Sequence, residues 1–556
     1  MKERDGSKGK GGGRAWLFLP AWVAGALFAW RFRFVCDDAY ISFRYARNLA
    51  CGHGLRYSPG ENPPVEGYSN FLWVLICALF ERAGAAITLW PPLLSAACAS
   101  ALLFLLFDRL RRRLGAGDFP SFAATLALAL FPPFAVWSTG GLATMPFALL
   151  LFLLFDRLFL AERPDGVGAG ATGVLLALVR VEGGGWAAIL FVLALLVRGR
   201  KGGSRPILVA AAATAVTIAA HLAWRFSYYG SITPNTLVAK GALDAVRLGR
   251  GFDYVATFLL TFLTPIALLF ALPAALRRER RGIGFPAAAL AFAFPVYAVL
   301  ATGDFMSMGR FLVPGLPFGA LLFALALADL RRSPRRNARI AAPVLAGAVI
   351  VVGALPAWNV HLVPHEARAR FQFRRAQESE FEHWELTKRK AAIWSEEGRA
   401  LRRYLEERPH ADPRPSFVCG TIGARGYYSD VYIYDTHGLV TPEVARRPVA
   451  PDEPLQPPGH DKRVPETYFL KDRPTVFDMR IVRALKPRAL LRECLAYREE
   501  LRAAGLELPY LVDFAPLGET DTEGRRDYVL VWVRAPEGAD PDAAWEDLRD
   551  RALKRK

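Results

Sequence analysis

Of the 556 residues 53% are hydrophobic and 22% are charged, and the formal net charge is +18. The apolar residues fall in blocks: between residues 15 and 358, runs of about 14 to 24 residues rich in Ala, Leu, Val, Phe and Gly alternate with short charged or Pro/Gly-rich stretches, and about 20 such residues cross a bilayer as a helix. This excludes a soluble enzyme, a secreted disulfide scaffold and a disordered chain, and leaves a membrane enzyme or a transporter to be told apart by the placement of the polar residues.

In chain order, a basic head with Lys2, Arg4, Lys8, Lys10 and Arg14 precedes the first run, Ala15 to Trp30. No small-residue cleavage site follows it, so it reads as a signal anchor. Further spans are expected at 90–107, 119–137, 143–160, 167–180, 184–197, 206–225, 253–276, 284–301, 311–329 and 340–358, which makes eleven. The spans at 167–180 and 184–197 are short and joined through Arg180, Glu182 and three glycines, a form tolerated where helices line a protein-filled or wet cavity. The apolar stretch 71–83 is expected to lie on the outer face as an interfacial helix with Trp73 near the headgroups, because counting it as a span would put every later basic loop outside.

Threaded from a cytoplasmic N-terminus, the loops 109–113, 157–163, 198–205, 277–281 and 331–339 all fall on the cytoplasmic side. Together with the head they hold about 24 of the 70 Lys and Arg residues, as the positive-inside rule requires. The basicity is therefore a topology signal, and no nucleic-acid partner is expected. Residues 359–556 carry many charges and prolines and no run long enough to cross a membrane; the odd number of spans places them outside the cytoplasm. A helix is expected at about 378–408, strands at 416–422, 431–434 and 528–533, and a helix at about 487–504, which amounts to a small α/β domain. The expected fold is thus an α-helical polytopic membrane protein of about eleven transmembrane helices, residues 1–358, with a C-terminal extracytoplasmic α/β domain, residues 359–556. Of six cysteines, Cys36 and Cys51 flank the first external segment and Cys419 and Cys494 fall in the tail. An oxidising compartment would let both pairs close; buried unpaired thiols are the alternative.

The unusual polar clusters all lie in segments this topology puts outside. Asp37 and Asp38 stand at the exit of the first span, where two adjacent, partly desolvated carboxylates raise one pKa and suit a general base. Either one is also placed to cap the helix expected over residues 39–49. Arg44 and Arg47, about a turn or two further on, are placed to pair with these acids or to hold a phosphate. Clusters at 225–240 and 302–314 add cations, carboxylates and aromatic rings. That is the inventory for a sugar linked to a lipid phosphate: carboxylates for hydroxyls, rings for sugar faces, Lys or Arg for phosphate. A transporter or flippase of lipid-linked saccharide is the alternative, but it should keep its ionisable groups near the bilayer midplane, whereas here the spans are nearly free of acids.

The string Asp-Asp-Ala-Tyr-Ile-Ser-Phe-Arg-Tyr-Ala-Arg-Asn-Leu from Asp37, followed by Gly-x-Gly-Leu-x-Tyr, Pro-Gly-Glu and Glu-Gly-Tyr-Ser-Asn-Phe-Leu-Trp, resembles the mycobacterial terminal arabinofuranosyltransferase family of polytopic GT-C type glycosyltransferases. Tyr228-Tyr229-Gly230, Pro234-Asn235-Thr236, Ala239-Lys240, Gly303-Asp304-Phe305-Met306, Arg310 to Pro314, Gly438-Leu439 and Pro458-Gly459-His460 match the same pattern in order. Two departures stand out: Gly141-Leu142-Ala143-Thr144 where the family tends to Gly-Leu-Glu-Thr, and Thr302-Gly303 where it tends to Gly-Gly.

The resemblance implies an inverting transfer from a polyprenyl-phosphate sugar to a cell-envelope glycan or glycolipid on the outer face of the bacterial cytoplasmic (inner) membrane. On that reading Asp37 or Asp38 is the base; Lys240 and Arg310, with Arg44 in reserve, meet the phosphate; and Asp304 and Glu66 take sugar hydroxyls, with His460 reaching in from the tail. Each has a plainer alternative: Asp304 and Arg310 paired with each other, Lys240 snorkelling at the interface, and His460 as a solvated loop histidine. No ligand set requires a cofactor; a divalent cation bridging Asp37, Asp38 and the phosphate is compatible with hard oxygen ligands.

Overall fold

The computed structural model describes residues 15–163, 165–199, 204–240, 243–369, 379–408, 412–449, 453 and 455–554. The basic head from Lys2 to Arg14, Arg200 and Lys201 in the loop 198–205, and Glu378 at the start of the expected tail helix lie outside the described residues. The chain divides into two compact units: Met1–Cys36, Ser69–Ile232 and Ala242–Lys388 form the first, and Asp37–Tyr68, Thr233–Gly241 and Arg389–Lys556 the second. This differs from the division at residue 358. Residues 37–68 and 233–241 are apolar-flanked loops in sequence, yet in space they belong with the tail.

The first unit is helical. Among the described residues five helical segments are long and apolar enough to cross a membrane, at Trp90–Arg112, Ser204–Tyr229, Arg281–Leu300, Arg310–Arg332 and Arg336–Trp358. Trp90–Arg112 shows why such a segment holds: Pro91 and Pro92 stand in the first turn, where their missing N–H groups cost nothing, and Arg109, Arg111 and Arg112 sit in the last turn at the negative end of the helix dipole. Arg310–Arg332 is 83% buried over its apolar window and Ser204–Tyr229 only 17%. The former is the centre of the unit and the latter part of its perimeter.

The expected single span at 253–276 is broken. Ala245–Phe262 and Thr264–Ala275 meet at 90°, around Leu263 at φ 56, with Pro265 beginning the second segment. A leucine at positive φ ends the helical ladder, and the following proline cannot rejoin it. Gly166–Val179 and Gly183–Arg198 are separate shorter apolar helices. Their junction holds an Arg180–Glu182 ion pair at 2.5 Å. The stretch Phe71–Arg82 is a helix of 12 residues, too short to span. Trp73, however, is fully buried, with Nε1 donating to Gly141 O at 3.1 Å, so it packs inside the protein and not among headgroups.

The second unit is built on a five-stranded sheet of order β2-β1-β3-β5-β4, from β1 Ser416–Cys419, β2 Tyr432–Asp435, β3 Val476–Leu485, β4 Tyr510–Leu517 and β5 Arg526–Arg534. β1 pairs with β2 and β3 in parallel, and β5 pairs antiparallel with β3 and β4. The helices Pro487–Ala503 and Pro541–Lys554 bring Leu490, Cys494, Tyr497, Leu548 and Ala552 onto a core with Phe477, Phe514 and Trp532. The charged helix Glu380–Glu407, whose first turns belong to the first unit, opens with a reciprocal cap, Ser379 Oγ accepting from Glu382 N at 3.1 Å and Glu382 Oε2 from Ser379 N at 2.8 Å. All six cysteines are free thiols, with Cys36, Cys77, Cys419 and Cys494 buried.

Candidate active site

In the second unit the Asp-Asp motif opens the helix Asp37–Ala50, nearly all of whose residues from Ala39 to Ala46 are buried. Asp37 faces the start of the helix Gly423–Ser429 that follows β1: Oδ1 accepts from Ala424 N at 2.8 Å and Oδ2 from Gly423 N at 3.3 Å. Gly423 is required there, since a methyl group on it would lie 2.1 Å from Asp37 O. Burial pushes the Asp37 carboxyl up to about 6, with the Asp38 charge adding to it and the two amides and Arg425 opposing. Both acids keep a partly exposed edge. A reaction that used the ionised Asp37 as its base would rise in rate with pH through about 6 and fall about tenfold per unit below it; a rate profile from pH 4.5 to 8 checks this.

Arg44 is fully buried in the same unit. Its guanidinium donates to Tyr57 O at 2.7 Å, Gly426 O at 2.6 Å and Val431 O at 2.5 Å, and lies 4.2 Å from the Tyr57 ring centroid. It is a structural pillar joining residues 37–68 to the tail, and the phosphate role held in reserve for it is set aside. Glu66 is also buried. Its segment is clamped by Tyr45, whose hydroxyl donates to Val65 O at 2.6 Å and accepts from Gly67 N at 2.8 Å. Glu66 O accepts from Asn235 N at 3.0 Å, and Asn235 Nδ2 donates to Gly438 O at 2.8 Å and Leu439 O at 2.9 Å. Three separate sequence motifs thus meet at Asn235. The loop carrying Lys240 is thereby tied to the sheet, with Lys240 itself half-buried just beyond the turn Asn235–Val238.

His460 is half-buried, with its ring 4.5 Å from that of His437 in an edge-to-face arrangement, so it is not a solvated loop histidine. His437 and Asp435 were not singled out from sequence. The fully buried Asp435 organises the turn after β2, its carboxylate accepting from His437 N at 2.8 Å and Val440 N at 3.1 Å. The string Asp-Thr-His-Gly-Leu was the available signal.

Asp304 and Arg310 belong to the first unit, where buried Asp304 and half-buried Arg310 form a two-contact pair, Nε to Oδ2 at 2.7 Å and Nη2 to Oδ1 at 3.0 Å. This is the plainer alternative offered above. The Arg310 guanidinium also stands 5.6 Å from the Trp137 ring. Gly303 at φ +81 and Gly309 at φ +57 set the loop, and a side chain on Gly309 would strike Phe258 at 2.4 Å.

Among the described residues no group of three or more His, Cys, Asp or Glu side chains is arranged to hold a metal ion. A divalent cation bridging Asp37 and Asp38 would therefore draw its other ligands from substrate and water.

A terminal beta-(1->2)-arabinofuranosyltransferase of Corynebacterium glutamicum is 30% identical over 371 residues, 58% of this chain and 52% of that protein. Its namesake in Mycobacterium tuberculosis is 27% identical over 287 residues, 47% and 44% of the two chains. The chain is similar to the terminal arabinofuranosyltransferases. It spans about half the length of these curated relatives. In fold it is similar to the crystal structure of ArnT from Cupriavidus metallidurans bound to undecaprenyl phosphate, with a TM-score of 0.53 at 13% identity over 94% of this chain and 98% of that one. The resemblance to the terminal arabinofuranosyltransferases read from the motifs is thus matched in sequence, and with five helical segments long and apolar enough to cross a membrane among the described residues the chain is a multi-pass membrane protein. A family model described as "Domain of unknown function (DUF8728)" matches residues 383–533, which takes in the sheet.

Proposed function

We propose that this arabinofuranosyltransferase-like protein moves a sugar, an arabinofuranose or another pentose or hexose, from a polyprenyl-phosphate donor to a hydroxyl of an envelope glycan or glycolipid on the outer face of the bacterial inner membrane. In the step, Asp37 takes the proton of the acceptor hydroxyl, whose oxygen bonds to the anomeric carbon as the bond from that carbon to the phosphate oxygen breaks. The polyprenyl phosphate leaves, and configuration inverts. Asp38 is the second candidate for the base. Lys240 is assigned to the phosphate charge and Glu66 to sugar hydroxyls. The observation that carries the reading is Asp37, a carboxyl raised towards neutrality by burial and held by two backbone amides. The test is to incubate the purified protein with radiolabelled polyprenyl-phosphate sugars and lipid-extracted envelope acceptors. Label in a glycosidic product is expected. Label that stays on the lipid with every donor, but crosses vesicle membranes, would make the protein a flippase.

The orientation has a separate check. With the N-terminus cytoplasmic and the C-terminal α/β domain outside, the loop 331–339 faces the cytoplasm. Pro334→Cys, in a background where exposed Cys51 is serine, is expected to resist an impermeant thiol reagent in intact cells; labelling there would invert the topology.

A further inference from the structure

The parallel part of the sheet reverses direction at β1: the chain passes from β1 to β2 on one side and then to β3 on the other. In open sheets, ligands bind outside the carboxyl ends of strands at such a reversal. β1 and β2 end in register at Cys419 and Asp435, and the segments just beyond them carry Gly420 and His437. His437 Nδ1 lies 2.9 Å from Gly420 O. A carbonyl only accepts, so Nδ1 holds a proton, and Nε2 is left to meet another partner. Burial, with Arg463 adding and the Gly420 bond and Glu466 opposing, lowers the pKa of His437; burial and the neighbouring His437 bring that of His460 down to about 4, against Asp461. The His460 ring is thus neutral at pH 7.

The same end of the sheet holds a cavity. An open cavity of about 260 Å³ is lined by Glu453, Gln456, Asp461, Arg463 and Glu466 besides Val464 and Pro465. Val464 N donates to Thr436 O at 2.9 Å, which fixes this wall to the residue before His437, and His460 directly precedes Asp461. Glu453 is held by Arg447 at 2.7 and 2.8 Å and Glu466 lies 3.3 Å from Arg463; three carboxylates against these two arginines still disfavour a phosphate, whereas carboxylates, an amide and imidazoles all bond to hydroxyls.

We infer that His437, His460 and the adjoining cavity form a subsite for an uncharged sugar of the acceptor glycan, distinct in chemistry from the phosphate-binding cations. The inference rests on the glycosyltransferase reading for the word acceptor, but not for the presence of a sugar site. The full-length protein in detergent, labelled with [¹³C-ε1]histidine, is titrated with methyl α-D-arabinofuranoside, methyl α-D-glucopyranoside or undecaprenyl phosphate, with His437→Gln and His460→Gln assigning the signals. Movement of the His437 and His460 signals with either glycoside and not with undecaprenyl phosphate is expected. No movement with glycosides, or movement with the lipid phosphate alone, overturns it. In transfer assays His437→Gln is expected to raise the acceptor KM about tenfold, the worth of about one hydrogen bond, and to leave the donor KM unchanged; equal effects on both would overturn the acceptor assignment. Glycoside-dependent shifts in a protein that transfers no sugar would leave the subsite standing and remove the proposed function.

Discussion

Asp37→Asn is expected to lower sugar transfer by about 10³-fold, within the range a positioned general base supplies, with the protein still folded. The amide keeps the carboxylate's shape, and its oxygen can still accept from Ala424 N, the shorter of the two bonds; what it loses is the capacity to take a proton. Asp37→Ala removes both anchors to the start of the helix Gly423–Ser429 and so tests fold and chemistry together. Asp38→Asn is expected to cost less, about tenfold, through the lost charge beside the base. Initial rates with radiolabelled donor are the measurement. Unchanged transfer in all three variants would show that neither acid is the base.

Arg44→Met is expected to destabilise the second unit by about 3–5 kcal/mol, as removal of one partner from a buried charged network does. The carbonyls of Tyr57, Gly426 and Val431 would each lose a charged donor with no water to replace it. A drop of about 10 °C in the unfolding midpoint follows for a unit of this size. Buried Cys419 and Cys494 report it directly, because each becomes alkylatable only when the unit opens. A variant that holds its midpoint but binds donor more weakly would restore the phosphate role.

The contrast between Arg44 and Asp37 shows what a sequence of this kind exposes. The apolar runs, the helix at 37–50 and the strands β1, β2 and β5 announce themselves by local pattern. The adjacent carboxylates do so by their rarity at a membrane exit. β3 and β4 did not, because Asp478, Arg480, Arg483 and Asp513 interrupt their apolar alternation. An arginine near two aspartates reads as a surface cation until its donors are seen to end on carbonyls more than 380 residues away. Asp435 escaped notice for a similar reason: its carboxylate serves a turn whose importance comes from Asn235, two hundred residues earlier. Trp73 looked interfacial from composition alone, and only the carbonyl of Gly141 reveals it as interior.

The second unit is assembled from three stretches of chain, and this has a cost during synthesis. The Arg44 segment emerges from the ribosome 387 residues before Val431, a delay on the order of tens of seconds at ordinary elongation rates. Throughout that interval a buried arginine and the tyrosines around it have no finished sheet to enter, which makes residues 37–68 the segment most in need of a holding factor. A recombinant fragment limited to 383–533 would meet the converse problem, a sheet lacking the chain that closes it.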